Sequence, residues 1–281
     1  MTNPISDPLV EGVDSDANSA LVQIASTQEG VTVVTLNRPA QRNAFDAALI
    51  AALHEAFETL QGAEGVRVVL LRGAGGVFCA GADLQWMASA ADMSEADNRE
   101  DAMAMARMLK ALWDIPALTV ALVEGAAFGG GAGLVSACDM AIARSDSRFS
   151  FSEVRLGLVP ATISPYVVAA IGPRAARALF ASGRIFDADH ALSIGLVSEV
   201  VADDQELAAA ADRIADMALQ NGPVAVAEAK RMVSDVVGRH IDRNLMEETA
   251  RRIARIRVSP EGREGVRAFL EKRRPEWAPG S

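Results

Sequence analysis

The sequence predicts an α/β protein whose last part is purely helical, and three observations carry that reading. Strand-like apolar runs at 67–71, 118–123 and 139–143 are separated by stretches with helical spacing at about 94–113 and 131–138. Glycine-rich turns, Gly-Ala-Gly-Gly at 73–76 and Gly-Gly-Gly at 129–131, stand where strand passes to helix. From Asp203 onward the chain reads as helix after helix. Alternating strands and helices bury a sheet under helices, with right-handed connections between parallel strands. Periodicity alone describes a doubly wound sheet as well as any other such layering.

The elements follow in order. Residues 1–18 are polar and acidic, with Asp7, Glu11, Asp14 and Asp16 and no basic residue before Arg38, the reverse of a signal or transit peptide, and are expected to form a disordered tail. Leu21–Ser26 and Val31–Leu36 read as a hairpin across Gln28-Glu29-Gly30. Ala44–Leu60 has apolar residues at helical spacing, at 45, 49, 50, 53, 57 and 60. The C-terminal helices are expected over Asp204–Leu219, Val224–Val237, Ile241–Arg257 and Pro260–Glu271, broken at Asn221-Gly222-Pro223, Gly238 and Ser259-Pro260. Residues 19–202 thus form an α/β core and 203–281 a helical region whose apolar faces must pack on something.

Composition excludes several classes. A chain of 281 residues, half of them apolar, buries a large core. A formal charge of −10 argues against nucleic acid or an anionic membrane as partner. The 44–60 helix carries no Lys or Arg, which removes a basic stripe for RNA. No apolar run approaches the roughly 18 residues of a membrane-spanning helix. Cys79 and Cys138, the only cysteines, fit a reducing cytoplasmic location and no metal-ligand spacing. His54, His190 and His240 suggest neither a ligand set nor a triad, so no metal is expected.

Gly125-Ala-Ala-Phe-Gly-Gly-Gly-Ala-Gly133 leaves bare N–H groups at a helix start, where negative charge is stabilised. No Lys-Ser/Thr pair follows Gly131, and the glycine spacing is not that of a dinucleotide fingerprint. An oxyanion site and a tight turn that packs helix on strand remain as readings. A second segment, Phe78-Cys-Ala-Gly-Ala-Asp-Leu84, follows the strand Val68–Leu71 and its Gly turn.

Together these two segments resemble the crotonase superfamily, the enoyl-CoA hydratases and isomerases. The likeness extends to Thr35-Leu-Asn-Arg-Pro39, Cys138-Asp-Met-Ala141, Phe151-Ser-Glu-Val-Arg-Leu-Gly-Leu-Val-Pro160 and Phe269-Leu-Glu-Lys-Arg273. The resemblance implies a spiral of ββα units and a C-terminal region that builds a homotrimer or a dimer of trimers. It implies an acyl-CoA thioester as substrate, coenzyme A entering with it and no separate cofactor. The thioester oxygen would take two backbone N–H bonds, from Ala80 and Gly130, with Ala82, Asp83, Leu84, Phe128 and Gly129 bordering the substrate.

Hydratases of this family commonly use two glutamates. One falls on Glu153, in an apolar setting that raises a carboxyl pKa; the other falls on Gly133, which has no side chain. A single carboxylate suffices for an isomerase. The bare Gly133 implies extra room for a branched or carboxylated acyl group, and the surrounding segments, through Tyr166, look like 3-methylglutaconyl-CoA hydratases of leucine breakdown. Coenzyme A contacts are implied for Arg38, Gln41 and Arg42, and for Phe269 and Lys272 on the last helix. Asp139 is expected to be structural, bonding nearby backbone.

Overall fold

The computed structural model describes residues 20–280, so the acidic 1–18 segment lies outside the described residues. The first half runs β1 (Val22–Ser26), β2 (Val31–Leu36), α1 (Ala47–Gly62), β3 (Val68–Gly73), α2 (Leu84–Ala91), α3 (Glu95–Trp113), β4 (Leu118–Val123), β5 (Ala126–Phe128) and α4 (Gly130–Ala137). It continues through β6 (Met140–Arg144), β7 (Arg148–Ser150), α5 (Ser164–Ser182), β8 (Ile185–Asp187), α6 (Ala188–Ser193) and β9 (Glu199–Val201). Helices α7 (Asp204–Leu219), α8 (Pro223–Val236), α9 (Arg243–Arg257) and α10 (Pro260–Glu271) close the chain.

The main sheet has the order β1-β2-β3-β4-β6-β9, with β1 and β2 an antiparallel hairpin and every other pairing parallel. Its inner strands alternate between two buried faces, as a parallel sheet covered on both sides requires. Val34, Leu36, Val69, Leu71, Ala121 and Val123 face the core built with α1, α3, α4 and α5. Val31, Val33, Val68, Leu70, Val120, Leu122 and Ile142 face the other way and are covered by Leu207, Ala211, Ile214, Ala215 and Ala218 of α7. The core therefore runs beyond residue 202: α7 belongs to it. A second, smaller sheet joins β5 to β7 in parallel and β7 to β8 antiparallel.

Sequence and structure agree closely on α1, α3 and the C-terminal helices, α7 and α10 beginning and ending where the sequence places them. Asp203 accepts from the Glu206 N–H and Ser259 from the Gly262 N–H, each satisfying a first-turn donor. Asp139 is structural as expected. Its Oδ2 accepts from the Thr119 N–H and hydroxyl at 2.8 and 2.9 Å, and it meets Lys230 of α8 at 2.6 Å. The same ammonium donates to the carbonyls of Ile115 and Ala117, both at 2.7 Å, pinning α8 to the connection between α3 and β4. Arg67 performs a similar service below the sheet, donating to the carbonyls of Leu219, Asn221 and Trp277.

Candidate active site

Two loops and one helix turn make the site, and Phe45 is their common neighbour. Its N–H donates to the Gly81 carbonyl at 2.7 Å and its carbonyl accepts from the Asp83 N–H at 2.8 Å. These bonds bracket Ala82 in a parallel bridge, so the Ala82 N–H and C=O point away from Phe45, and the N–H has no partner among the described residues. The ring of Phe45 packs against the start of α4: a β-carbon built on Gly130 would lie 2.8 Å from Phe45 Cε2 and 2.7 Å from Met105 Cε. Gly130 is the first residue of α4, so its N–H is one of the donors a helix start leaves unmatched.

The structure corrects one half of the expected donor pair. The Ala80 N–H donates to the Arg42 carbonyl at 3.0 Å and is not free for a substrate oxygen. The amide left over in that loop is that of Ala82, two residues on. Gly81, at φ +98°, turns the backbone between them. The Phe128 carbonyl lies 3.2 Å from where a Gly81 β-carbon would stand, so the two loops touch just ahead of Gly130.

Glu153 stands beside this turn. It opens a 3₁₀ turn over Glu153–Leu156, and its Oε1 lies 3.2 Å from where a Gly129 β-carbon would stand. Gly129 has φ +50° and ψ −117°, a backbone that side-chain-bearing residues rarely adopt. Oε2 of Glu153 is sealed from solvent and makes no hydrogen bond to the protein. Burial pushes the carboxyl pKa up, and the residue's own backbone N–H offsets this in part. A desolvated, unpartnered carboxyl next to a bare helix start suits proton transfer.

Gly133 offers no extra space. It is buried, and a β-carbon there would meet Ile163 Cγ2 at 2.3 Å and Ile163 Cβ at 2.9 Å. The isoleucine at the head of α5 fills the volume that the sequence left empty, so the expectation of added room for a branched acyl group is overturned. Gly133→Ala should therefore destabilise the fold through overpacking, by about 1–3 kcal/mol in chemical denaturation. An unchanged midpoint would mean that Ile163 moves aside freely.

Arg38 is engaged within the protein. Its guanidinium meets Asp46 at 3.0 Å and Asp83 at 3.5 Å, and also donates to the Ala44 carbonyl. Those two aspartates cap α1 and α2 through the N–H groups of Leu49, Gln85 and Trp86. Asp83 is thus structural, while Leu84 beside it is 78% exposed and, with Leu156, Leu158 and Val159, puts apolar surface near the site. Gln41 and Arg42 have exposed side chains on the loop that holds Ala80. Tyr166 packs at the edge of the core, its ring 5.5 Å from that of Trp113. Phe269 and Lys272 lie on α10 and at its C-cap, and α10 packs on α8 and α9. Two residues the sequence reading passed over, Asn43 and Ile163, are fully or almost fully buried against the site loops.

Among the described residues no group of three or more His, Cys, Asp or Glu is gathered for a metal, and no helix is long and apolar enough to cross a membrane. The family model for enoyl-CoA hydratase/isomerase matches residues 26–280. Human mitochondrial methylglutaconyl-CoA hydratase is 31% identical over 88% of this chain and 74% of its own length. Among solved structures, an enoyl-CoA hydratase from Shewanella pealeana is 41% identical and superposes with a TM-score of 0.88, covering 92% of this chain and 96% of that one. AtuE of Pseudomonas aeruginosa is 36% identical with the same TM-score, covering 92% of this chain and 100% of that one.

Proposed function

This chain belongs to the enoyl-CoA hydratase/isomerase family, the crotonase fold, and from that premise we propose that it hydrates an enoyl-CoA thioester with Glu153 as its one acid/base group. The carrying observation is the sealed, unpartnered Oε2 of Glu153 beside Gly129, one residue before the free Gly130 amide. The thioester oxygen sits between the N–H groups of Ala82 and Gly130. Water gives a proton to Glu153 while its oxygen bonds to the β-carbon. The π electrons move onto the thioester oxygen as an enolate, held by the two amides. The enolate then collapses, and Cα takes the proton back from Glu153. Net addition is one water, with the carboxylate regenerated.

A branched enoyl-CoA, 3-methylglutaconyl-CoA among them, is the proposed acyl class, supported by the likeness to the human methylglutaconyl-CoA hydratase. The packing of Ile163 on Gly133 favours one further reading, an isomerase, because it leaves no second carboxyl at that turn and a single one can move a proton between carbons of the same chain. A homotrimer or a dimer of trimers is proposed for the assembly, supported by apolar side chains exposed on the C-terminal helices and their connections, such as Val237 (72%), Ile241 (79%) and Phe269 (82%).

One experiment separates the readings. The purified protein is offered a panel of 2-enoyl- and 3-enoyl-CoA esters, including 3-methylglutaconyl-CoA, in water enriched in oxygen-18. Hydration is expected to put one heavy oxygen in the product. A shifted double bond with no added oxygen would make the protein an isomerase. Thioester binding without turnover would make it a binder.

A further inference from the structure

We infer that Asn43 is a positioning residue that holds the Ala82 amide in place for the thioester oxygen, and this inference rests on the oxyanion reading of Ala82 and Gly130. The Gly130 donor is carried by a helix packed in the core. The Ala82 donor is carried by a loop, and that loop needs an external brace. Asn43 supplies it: its Nδ2 donates to the carbonyls of Ala74 at 2.9 Å and Val77 at 2.6 Å, on the loop leading to Ala82. Its Oδ1 accepts from the Arg38 N–H at 2.8 Å, so the amide ties the 38–45 segment to the 73–83 segment through one side chain.

The neighbours of Asn43 extend the same brace. Arg42 takes the Ala80 N–H on its carbonyl, and Phe45 brackets Ala82 from both sides. The Ala82 amide is therefore referenced to residues 42–45, and those residues are referenced to the rest of the loop by the Asn43 amide. Asn43 is 0% exposed, so it acts through the backbone it holds and not by touching substrate. Its backbone supports the same conclusion. Arg42 and Asn43 have φ of +52° and +55°, two of only three side-chain-bearing residues with positive φ among the described residues. Asparagine tolerates that conformation better than most residues, and it persists where surrounding bonds enforce it. A misplacement of about 1 Å at a site of this kind costs on the order of 10² in rate.

The test uses crotonyl-CoA labelled with carbon-13 at the carbonyl, bound to Glu153→Gln so that it is not consumed, and reads the carbonyl stretch by difference infrared spectroscopy. Glu153→Gln alone is expected to lower the stretch relative to free crotonyl-CoA, because two amides polarise the bond. Adding Asn43→Gly, which suits the positive φ but removes the three hydrogen bonds, is expected to abolish most of that shift. Asn43→Gly in the otherwise native protein should lower kcat about 10- to 100-fold with KM little changed. Asn43→Ser, a smaller change, serves if the glycine variant does not fold and should give an intermediate shift. A full shift in a folded Asn43 variant overturns the positioning role and leaves the oxyanion reading standing. No shift in Glu153→Gln alone overturns the oxyanion reading itself.

Discussion

Glu153→Gln is expected to lower kcat about 10²- to 10⁴-fold, the usual worth of a positioned acid/base group, while KM for the enoyl-CoA ester stays near its original value. The amide cannot take a proton from water, and it keeps the shape of the carboxyl against Gly129. The same substitution should alter the response to pH, with a sign that follows from burial. The folded-state carboxyl titrates above its ordinary value because desolvation penalises the charged form. The native state therefore holds this proton at a pH where the unfolded chain, with a carboxyl pKa of about 4.3, has released it. Stability from this group is present below the unfolded value and is lost as pH rises through the folded one. Glu153→Gln should remove that part of the decline, so the variant gains stability relative to the parent toward neutral pH. In steady-state kinetics of the parent, kcat/KM should rise with pH through a midpoint above the ordinary carboxyl range as Glu153 becomes the base. Activity retained in the variant would reassign the proton carrier, and equal pH slopes of stability in the two proteins would mean that the carboxyl is not desolvated.

Gly130→Val should cost about 10²–10³ in kcat, the measured scale for losing one oxyanion donor at about 2.7–4 kcal/mol. A side chain cannot be added there without displacing the Phe45 ring or the Met105 methyl, since both lie under 3 Å from the β-carbon position. Phe45 is also the residue whose backbone brackets Ala82, so the displacement reaches both donors at once. Gly62→Ala at the end of α1 is the control, because nothing lies within 4 Å of its β-carbon position. The control should match the parent in both kcat and melting temperature. A Gly130→Val protein that folds and keeps its rate would remove the α4 amide from the mechanism.

The C-terminal helices and the inner strands were legible because period and capping agree: Asp203, Asp242 and Ser259 stand immediately before α7, α9 and α10. The three-residue strands β5, β7, β8 and β9 were not, since three residues carry no readable alternation. Helix α5 was missed for a different reason. It contains Gly172-Pro173, with Gly172 at φ +73°, and a glycine-proline step normally ends a helix in sequence. At the proposed site, motif spacing pointed to Glu153 and Gly130, and the fold brings the Glu153 carboxyl to Gly129, the residue before Gly130. The second proposed donor moves by two residues, from Ala80 to Ala82, because spacing locates a loop but not the direction in which each of its amides points. That direction is set by long-range bonds from residues 42 and 45. Gly133 misled in a similar way: a missing side chain looks like empty volume until the partner from α5, thirty positions away, is seen to occupy it.

The placement of α7 over one whole face of the main sheet has a consequence for how this polypeptide can be divided. A fragment stopped after β9 would present Val31, Val33, Val68, Leu70, Val120, Leu122 and Ile142 as a bare aliphatic wall, which water would drive against any other molecule at hand. The shortest piece able to keep that wall dry ends at Leu219.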